Sequence, residues 1–585
     1  MKKLLPVAVL LIALLGSCKH NTPDTELFKL GYMQDSTVTW EQAIDYYKLL
    51  DEHFSEAKLM EYGKTDIGKP LHVFVISKDK DFKPASIKKK NKRTLLILNG
   101  IHPGESCGID AALQFAHDIL TNKAQYEPML SNTVIAIIPA YNVGGVLNRS
   151  AYIRTNQVGP VERGHRGNGR NLDLNRDFAK QDSKNARSFA EIFQEWDPDV
   201  FLDTHTTNGS DHQYVITLIP VQPSTFPENM RNTLEEAILP DLYRGMAQTP
   251  YELIPYVMYN NRDASKGIVS YRQTPKVSTG YAEMFNSFGF MTENHVYKPY
   301  ADRVQSVYLF MLELLEATSE HAVAIAQSRT EAKETVKNQK KFVLDYTLDT
   351  SRYKEITFKG YEQGTIESEL TGLTYEYYDH DKPFTRQIKF FNRYLPQKTV
   401  EAPAAYIIPQ AWEEVIERLQ LNGVNMYQLQ EDRELTAEFY YIKDLKSYPR
   451  SYNGHFYHHE LKASKETAKR QYYSGDWIVP VNQEANKFIV NMLEPDAPDA
   501  YLRWNFFDSA LESREWNNPR VTFEPNAIRY LEDHPDLKAA WEEKKKNDPE
   551  FRNDHRAQLR FIFENSEWSS YRAGLYPVGR LAEIP

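Results

Sequence analysis

Cysteine is the scarcest residue of this 585-residue chain, which has only Cys18 and Cys107. A single pair cannot form the disulfide framework that small secreted proteins use in place of a large hydrophobic core. The chain must therefore rely on buried apolar surface, and a hydrophobic content of 41% with 12% aromatic residues supplies it. The same composition excludes a largely disordered chain.

Excess positive charge is lacking as well. The formal net charge is -10, so there is no electrostatic reason for the chain to bind nucleic acid. Its one dense basic run, Lys88 to Arg93, directly precedes a predicted strand and is interpreted as a solvated loop. We therefore expect no nucleic-acid partner.

Long apolar runs are missing beyond the first twenty residues. The run from Leu4 to Leu15 follows a short positive segment and is shorter than the ~20 residues that a membrane-spanning helix needs, which is typical of an export signal. It ends in Leu15-Gly16-Ser17-Cys18, which resembles the lipobox of bacterial lipoproteins. That resemblance implies a signal peptide over 1–17, lipidation of Cys18 and a tether over 18–29. Several acyl chains, at ~0.8 kcal/mol per buried methylene, anchor a protein stably.

These features predict an exported protein with a soluble body, lipid-anchored to a bacterial cell-envelope membrane. The alternative is an ordinary secretory signal in which Cys18 is coincidental. A lipidated Cys18 leaves Cys107 without a disulfide partner, and we interpret Cys107 as a small residue packed at a helix start rather than as a nucleophile.

The order of predicted elements gives the domain organisation. Buried strands alternate with helices over residues 30–330, which indicates an α/β domain with a mixed, largely parallel sheet flanked by helices. Short alternating runs such as Gln387-Ile-Lys-Phe-Phe are typical of half-buried strands and predict a mostly β accessory region over 331–470. Residues 471–585 form a predicted mixed α/β region with short helices at its end.

A pair of potential metal ligands stands at the mouth of a predicted buried strand. His102 and Glu105 follow the apolar run Leu95 to Leu98, and imidazole and carboxylate are ligand types of catalytic zinc sites. This H-x-x-E spacing is a weak signal alone. A second predicted strand, Val200 to Thr204, ends in His205. Because ligands gather at the carboxyl ends of parallel strands, we expect these three side chains to lie close together.

Four motifs in order carry a family resemblance. After His102-x-x-Glu105 come Asn175-Arg176, then His205 and then Glu293 within Phe290-Met-Thr-Glu-Asn-His. This order resembles the zinc carboxypeptidase (metallocarboxypeptidase) family over about residues 30–320. The resemblance implies a zinc-carboxypeptidase-like fold and a metallopeptidase that removes C-terminal residues from peptides, with one Zn²⁺ per chain.

The resemblance also implies a role for each motif. His102, Glu105 and His205 would hold the zinc, and a bound water, its pKa lowered toward ~7, would fill the open position. Glu293 would be the general base that takes the proton of this water. Arg166 would stabilise the oxyanion of the tetrahedral intermediate.

Substrate binding is assigned in the same way. Asn175 and Arg176 would bind the free C-terminal carboxylate of the peptide, for which a planar guanidinium is the matching partner. Tyr281 is preferred over Tyr271 as the tyrosine that closes over the substrate. Asp177 departs from the asparagine common in the family at that position. Four further arginines stand near enough in sequence to be alternatives to Arg166, namely Arg149, Arg154, Arg163 and Arg170.

Several alternatives stay open. Two histidines and a carboxylate also suit iron(II), although the base, the arginines and the resemblance favour zinc. The same site suits a zinc amidase that acts on cell-wall peptides or N-acyl amino acids. A hypothesis of another class is a catalytically dead lipoprotein that binds peptide or glycan.

Overall fold

The structure is a computed structural model that describes residues 30–207, 209–260, 266–512, 523–566, 568 and 574–585. The predicted signal peptide, Cys18 and the predicted tether lie outside these ranges, so they stay predictions. Within the described ranges, none of the helices combines the length and the apolar character that a bilayer crossing requires.

The first half of the chain alternates strands with helices. Its strands are β1 (Ala57–Lys64), β2 (Pro70–Ile76), β3 (Arg93–Leu98), β4 (Thr133–Ile138), β5 (Arg149–Ser150), β6 (Arg163–Gly164), β7 (Val200–Thr207), β8 (Ile216–Pro220), β9 (Leu253–Pro255), β10 (Ile268–Val269) and β11 (Phe288–His295). Its helices are α1 (Trp40–His53), α2 (Pro84–Lys89), α3 (Cys107–Thr121), α4 (Lys123–Leu130), α5 (Val143–Leu147), α6 (Lys184–Trp196), α7 (Glu228–Thr233), α8 (Leu239–Met246), α9 (Ser278–Met284), α10 (Tyr300–Glu320) and α11 (Ala322–Asn338).

Eight of these strands form one central sheet in the order β1-β2-β4-β3-β7-β11-β8-β9. The β4–β3, β3–β7, β7–β11 and β8–β9 pairs are parallel. The β1–β2, β2–β4 and β8–β11 pairs are antiparallel. The predicted mixed, largely parallel sheet is therefore confirmed.

Strand β3 shows why this sheet is covered on both faces. Leu95 and Ile97 pack into a core cluster with α3 and α10, whereas Leu96 and Leu98 point to the opposite face and pack against α6 and the second half of the chain. This alternation follows from the two-residue period of a strand. Each fully buried leucine or isoleucine stabilises the fold by roughly 1.5–3 kcal/mol.

The second half is rich in strands and ends in helices, as expected. Its strands are β12 (Lys341–Leu348), β13 (Lys354–Glu367), β14 (Thr374–Phe391), β15 (Tyr394–Glu401), β16 (Ala405–Ile408), β17 (Tyr427–Gln428), β18 (Arg433–Ser447), β19 (His458–Tyr472), β20 (Trp477–Pro480) and β21 (Gly579–Leu581). Its helices are α12 (Glu413–Leu421), α13 (Asn486–Leu493), α14 (Asp508–Leu511), α15 (Phe523–Asp533), α16 (Pro535–Asn547), α17 (Pro549–Asn553) and α18 (His555–Glu564).

Six of these strands form a second sheet in the order β17-β20-β16-β21-β18-β19, while β13 and β14 form a long antiparallel hairpin. The second half is not a loosely attached unit, because Phe342, Tyr406 and Phe488 belong to the same buried cluster as Leu96 and Leu98. Two of its parts extend to the carboxyl ends of the central strands: the β13–β14 hairpin, and the segment of residues 448–457 between β18 and β19.

Candidate functional site

Three side chains meet where the carboxyl ends of β3 and β7 lie side by side. His102 and Glu105 occupy the turn between β3 and α3, and His205 lies near the end of β7. All three are buried, and one ligand atom of each lies within 4.8 Å of the others. The centroids of the two imidazole rings are 4.9 Å apart. The sequence-based expectation that distant segments converge here agrees with this geometry.

Two glycines permit this approach. Gly100 has φ of +69°, a left-handed conformation that turns the chain after β3 and that other residues adopt only with strain. At Gly108 a Cβ atom would lie 2.0 Å from the Thr204 hydroxyl oxygen, so any side chain there would push the start of α3 away from β7. Glu105 stands two residues before α3 and would move away from His205 with it.

The donor set fits a divalent metal ion. The Nδ1 atom of His102 is buried, faces Glu105 Oε1 at 3.2 Å and has no hydrogen-bond partner. The Nδ1 atom of His205 lies 2.9 Å from Glu105 Oε2. These atoms face one another across a small space, which suits three protein ligands around one cation.

The remaining ring nitrogens are fixed by carboxylates. His102 Nε2 lies 3.0 Å from Asp173 Oδ1, and His205 Nε2 lies 2.8 Å from Asp203 Oδ2. Carboxylates in this position set the tautomer and orientation of metal-ligating histidines, and they leave each Nδ1 lone pair free for the metal. No sequence motif assigned Asp203 or Asp173 to the metal-binding group.

The charges around the ligands are arranged to keep Glu105 ionised. Burial acts to raise the pKa of Glu105, but the Arg154 guanidinium and His102 hold this pKa well below its usual range. For His205, burial acts to lower the pKa, but the carboxylates of Asp203 and Glu105 raise it well above its usual value. A metal ion at His205 therefore competes with a proton for the ring.

A second possible metal group is formed by Asp241, Glu320 and His321 at the ends of α8 and α10, and none of the three lines this cavity. The Asp241 carboxylate is already paired with His321 and Arg244.

Glu293 lies beside the metal-binding group. It is on β11 at the position paired with His205 of β7, and it is half-buried in the wall of a cavity of about 840 Å³. All three potential ligands line the same cavity. Burial is the main reason that the pKa of Glu293 rises to about 8; Glu105 and Asp203 raise it further, while His205 opposes the rise.

Two arginines line the cavity next to Glu105. Arg166 donates to Asp173 Oδ2 from Nε and Nη2 at 3.1 and 2.9 Å, and its Nη1 lies 3.6 Å from Glu105 Oε1. Arg154 donates to Glu105 Oε1 at 2.5 Å. The other three candidates are bound to backbone carbonyls elsewhere: Arg149 to Thr37 and Val38, Arg163 to Ala151, Ile153 and Gln157, and Arg170 to Asp182.

Asn175 and Arg176 also line the cavity. The Asn175 amide nitrogen is 3.5 Å from His205 Nε2, and its oxygen accepts from the Ser278 backbone amide at 3.2 Å. Arg176 donates to the Asn175 carbonyl at 2.7 Å and to the Tyr452 hydroxyl at 2.9 Å. Asp177 is fully buried and pairs with Lys180 at 2.8 Å, so its carboxylate stabilises the loop.

Tyr281 is not at the cavity, which corrects the prediction that it closes over the substrate. Its side chain is fully buried in the aromatic core with Phe178 and Phe193, and its hydroxyl donates to Asn422 at 2.6 Å. Helix α9 is buried on every side, so Tyr281 cannot swing into solvent. The alternative, Tyr271, lines the cavity and is 38% exposed.

Cys107 is buried at the first position of α3, with its sulfur 3.4 Å from the Thr206 hydroxyl. Burial raises the pKa of its thiol. Both observations agree with the interpretation of Cys107 as a packed residue, since a nucleophile needs an accessible thiolate.

Comparison with known proteins finds a family match within the first half of the chain. Residues 44–211 match the family described as zinc carboxypeptidase. Among curated proteins, Carboxypeptidase 2 of Trichophyton tonsurans is 20% identical over 469 residues, which cover 76% of this chain and 79% of that protein. Carboxypeptidase 2 of Trichophyton rubrum is 19% identical over 437 residues, or 71% of this chain and 75% of that protein.

Solved structures similar to this chain include a metallo-carboxypeptidase from Pseudomonas aeruginosa in complex with (2-guanidinoethylmercapto)succinic acid. It has a TM-score of 0.37 and 11% identity, over 49% of this chain and 70% of that one. Carboxypeptidase A from Helicoverpa armigera has a TM-score of 0.36 and 16% identity, over 50% of this chain and 74% of that one.

Proposed function

We propose that this chain, which carries a zinc carboxypeptidase domain over residues 44–211, hydrolyses the last peptide bond of peptides with a free C-terminal carboxylate. One observation supports the proposal above the others. A single cavity contains the His102, Glu105 and His205 group, the Glu293 carboxylate and the Arg176 guanidinium. These are the groups that peptide hydrolysis at a carboxyl terminus requires.

Zinc, when bound by His102, Glu105 and His205, supplies a Lewis acid that polarises the scissile carbonyl and makes water more acidic. Glu293 takes a proton from the attacking water while the water oxygen bonds to the carbonyl carbon. Glu293 then gives this proton to the amine nitrogen as the carbon–nitrogen bond breaks. A pKa near neutral suits a group that must both accept and return a proton.

The negative charge that develops on the carbonyl oxygen needs a donor in the cavity. Arg166 is 46% exposed at the cavity, with part of its guanidinium already oriented by Asp173. Arg154 is the second candidate, and its contact with Glu105 places it even nearer to the metal-binding group. Removal of a single oxyanion donor typically costs about 10²–10³ in rate.

The substrate carboxylate is assigned to Arg176 with Asn175. The Arg176 guanidinium is half-buried, which strengthens a charge-assisted hydrogen bond compared with one in bulk water. Asn175 connects this subsite to the metal-binding group through His205. A peptide held by its terminal carboxylate therefore presents its last peptide bond near Glu293 and the metal-binding group.

The test uses one peptide in two forms, with a free carboxylate and with a C-terminal amide, incubated with zinc-loaded protein. We expect release of the last residue from the acid and at least a hundredfold slower release from the amide. Equal cleavage of both forms would contradict the proposal and favour the amidase alternative. Stoichiometric zinc without hydrolysis of either form would instead favour a binding protein.

We also propose that the protein is exported and lipid-anchored through Cys18. Support comes from residues 1–17, which have the charge and apolar pattern of a lipoprotein signal peptide. In a bacterial host fed labelled palmitate, the parent chain should incorporate label and fractionate with membranes. The Cys18→Ala variant should do neither, and membrane association of this variant would contradict the proposal.

A further inference from the structure

The segment of residues 448–457 reaches from the second half of the chain into the proposed carboxylate subsite. It connects β18 and β19 and lies against the loop that contains Asn175 and Arg176. No sequence pattern indicates this contact, because 276 residues separate Arg176 from Tyr452.

The contact with Arg176 is a directed hydrogen bond. Arg176 donates from Nε to the Tyr452 hydroxyl at 2.9 Å and from Nη1 to the Asn175 carbonyl at 2.7 Å. A guanidinium has five N–H groups, so three remain, and all are on the two terminal nitrogens. The Tyr452 hydroxyl therefore blocks the Nε side and leaves the end-on pair of nitrogens for a carboxylate.

Tyr452 is suited to orient Arg176 without neutralising it. A phenol is an uncharged acceptor, whereas an aspartate or glutamate in the same place would compete with the substrate carboxylate for the positive charge. Its hydroxyl thus fixes the plane of the guanidinium while the charge stays available to a ligand.

Tyr452 itself is held in place by its neighbours. Its ring stacks on Trp504 with a centroid distance of 5.9 Å and an interplanar angle of 18°. The next residue, Asn453, accepts from the Asp173 backbone amide at 2.7 Å and donates to the Asp173 carbonyl at 3.3 Å. These bonds join the 448–457 segment to the loop that carries Asn175 and Arg176.

We propose that Tyr452 is a positioning residue for Arg176, so that the second half of the chain forms part of the carboxylate-binding site. This inference rests on the proposed function, in which Arg176 binds the terminal carboxylate. It assigns to the strand-rich region a direct part in substrate recognition.

The experiment compares Tyr452→Phe with the parent on a peptide with a free carboxylate. The substitution keeps the ring that stacks on Trp504 and removes only the hydroxyl. Loss of one hydrogen bond to a charged group lowers binding affinity by roughly tenfold. We therefore expect KM to rise about three- to tenfold, while kcat stays within about twofold of the parent value. The matched control is Tyr448→Phe, on the same segment but stacked on His459, which should keep the parent KM.

A double-mutant cycle separates positioning from general support. In an Arg176→Ala background, Tyr452→Phe should cause no further rise in KM, because the group it orients is gone. Zinc content and melting temperature of each variant serve as folding controls.

An unchanged KM in Tyr452→Phe, or the same rise in the Arg176→Ala background, would overturn the inference. A fall in kcat with KM unchanged would overturn it as well, because an effect through the carboxylate subsite acts on binding. The proposed function fails separately, if the parent cleaves the amidated peptide as fast as the free acid.

Discussion

Glu105 and Glu293 are the same side chain in opposite surroundings. Arg154 and His102 hold the pKa of Glu105 well below its usual range, whereas burial raises the pKa of Glu293 to about 8. A permanent anion suits a metal ligand, and a carboxylate that titrates near neutral pH suits a base. A pair of carboxyl groups with diverging pKa values is a recurrent way to divide these roles.

The raised pKa of Glu293 predicts a pH dependence. A base must be deprotonated to act, so kcat/KM should increase with pH through the pKa of Glu293 and level off about one to two pH units above that pKa. Bound zinc favours the carboxylate and shifts this limb to lower pH. A pH–rate profile from about pH 5 to about pH 9 measures the effect. A constant rate between about pH 5 and about pH 8, or a rate that falls there, would contradict the assignment.

Substitutions at Glu293 and His205 should separate chemistry from metal binding. Glu293→Gln keeps the size and polarity of the side chain but not its basicity, so we expect bound zinc and a loss of about 10²–10⁴ in kcat. His205→Ala should lose both zinc and turnover. Metal analysis of the purified variants, together with initial rates, checks the pair. Parent-level hydrolysis by Glu293→Gln would exclude Glu293 as the base.

At the scale of single elements, three parallel strands decide where the site lies. Strands β3, β7 and β11 are adjacent and parallel, so His102, His205 and Glu293 come together at one edge. This arrangement could be predicted, because each residue closes an apolar run in the sequence. The position of Tyr281 could not be predicted. A tyrosine in a short helix could face either the cavity or the core. Only the packing of Tyr281 against Phe178 and Phe193 places it in the core.

The junction of α3 and α10 provides a test of element packing. Asp110 of α3 is buried and accepts from the Tyr300 hydroxyl at 2.5 Å and the Val38 amide at 3.2 Å. Burial is the main cause of its raised pKa, about 6 against a usual value of 3.8. Its ionisation in the folded state therefore costs stability as pH rises from about 4 through 6.

Asp110→Asn removes this titration and keeps an acceptor for the Val38 amide. We expect the variant to gain stability relative to the parent by on the order of 3 kcal/mol between about pH 4 and pH 8. Urea unfolding of both proteins at the two pH values measures the difference. A relative stability independent of pH would contradict the raised pKa.

At the scale of the whole molecule, the two halves share one core. The face of the central sheet formed by Leu96 and Leu98 is covered by a cluster that includes Phe342, Tyr406 and Phe488. The sequence predicts a strand-rich second half but not this contact. Packing between segments hundreds of residues apart leaves no local pattern in the sequence. The contact between Tyr452 and Arg176 could not be predicted for the same reason.

The shared core predicts that the first half is not stable alone. A fragment of residues 30–340 exposes the side of the cluster that the second half covers, and each uncovered large apolar side chain costs roughly 1.5–3 kcal/mol. We expect this fragment to show no cooperative thermal transition by circular dichroism.

The control chain replaces residues 523–566 with a short linker. In the parent, the six buried apolar residues of this segment form a cluster separate from the main core: Phe523, Ala527, Leu531, Leu559, Ile562 and Phe563. The control chain should therefore keep a cooperative thermal transition. A fragment of residues 30–340 that melts cooperatively and binds zinc like the parent would show that the halves are independent.

The most direct test is the product pattern from a mixture of unblocked peptides incubated with the zinc-loaded chain, followed by mass spectrometry. We expect products shortened from the carboxyl terminus by single residues, no internal cleavage, and no products after removal of the metal by a chelator. Cleavage within the peptides, or the same products in the presence of chelator, would contradict a metal-dependent carboxypeptidase.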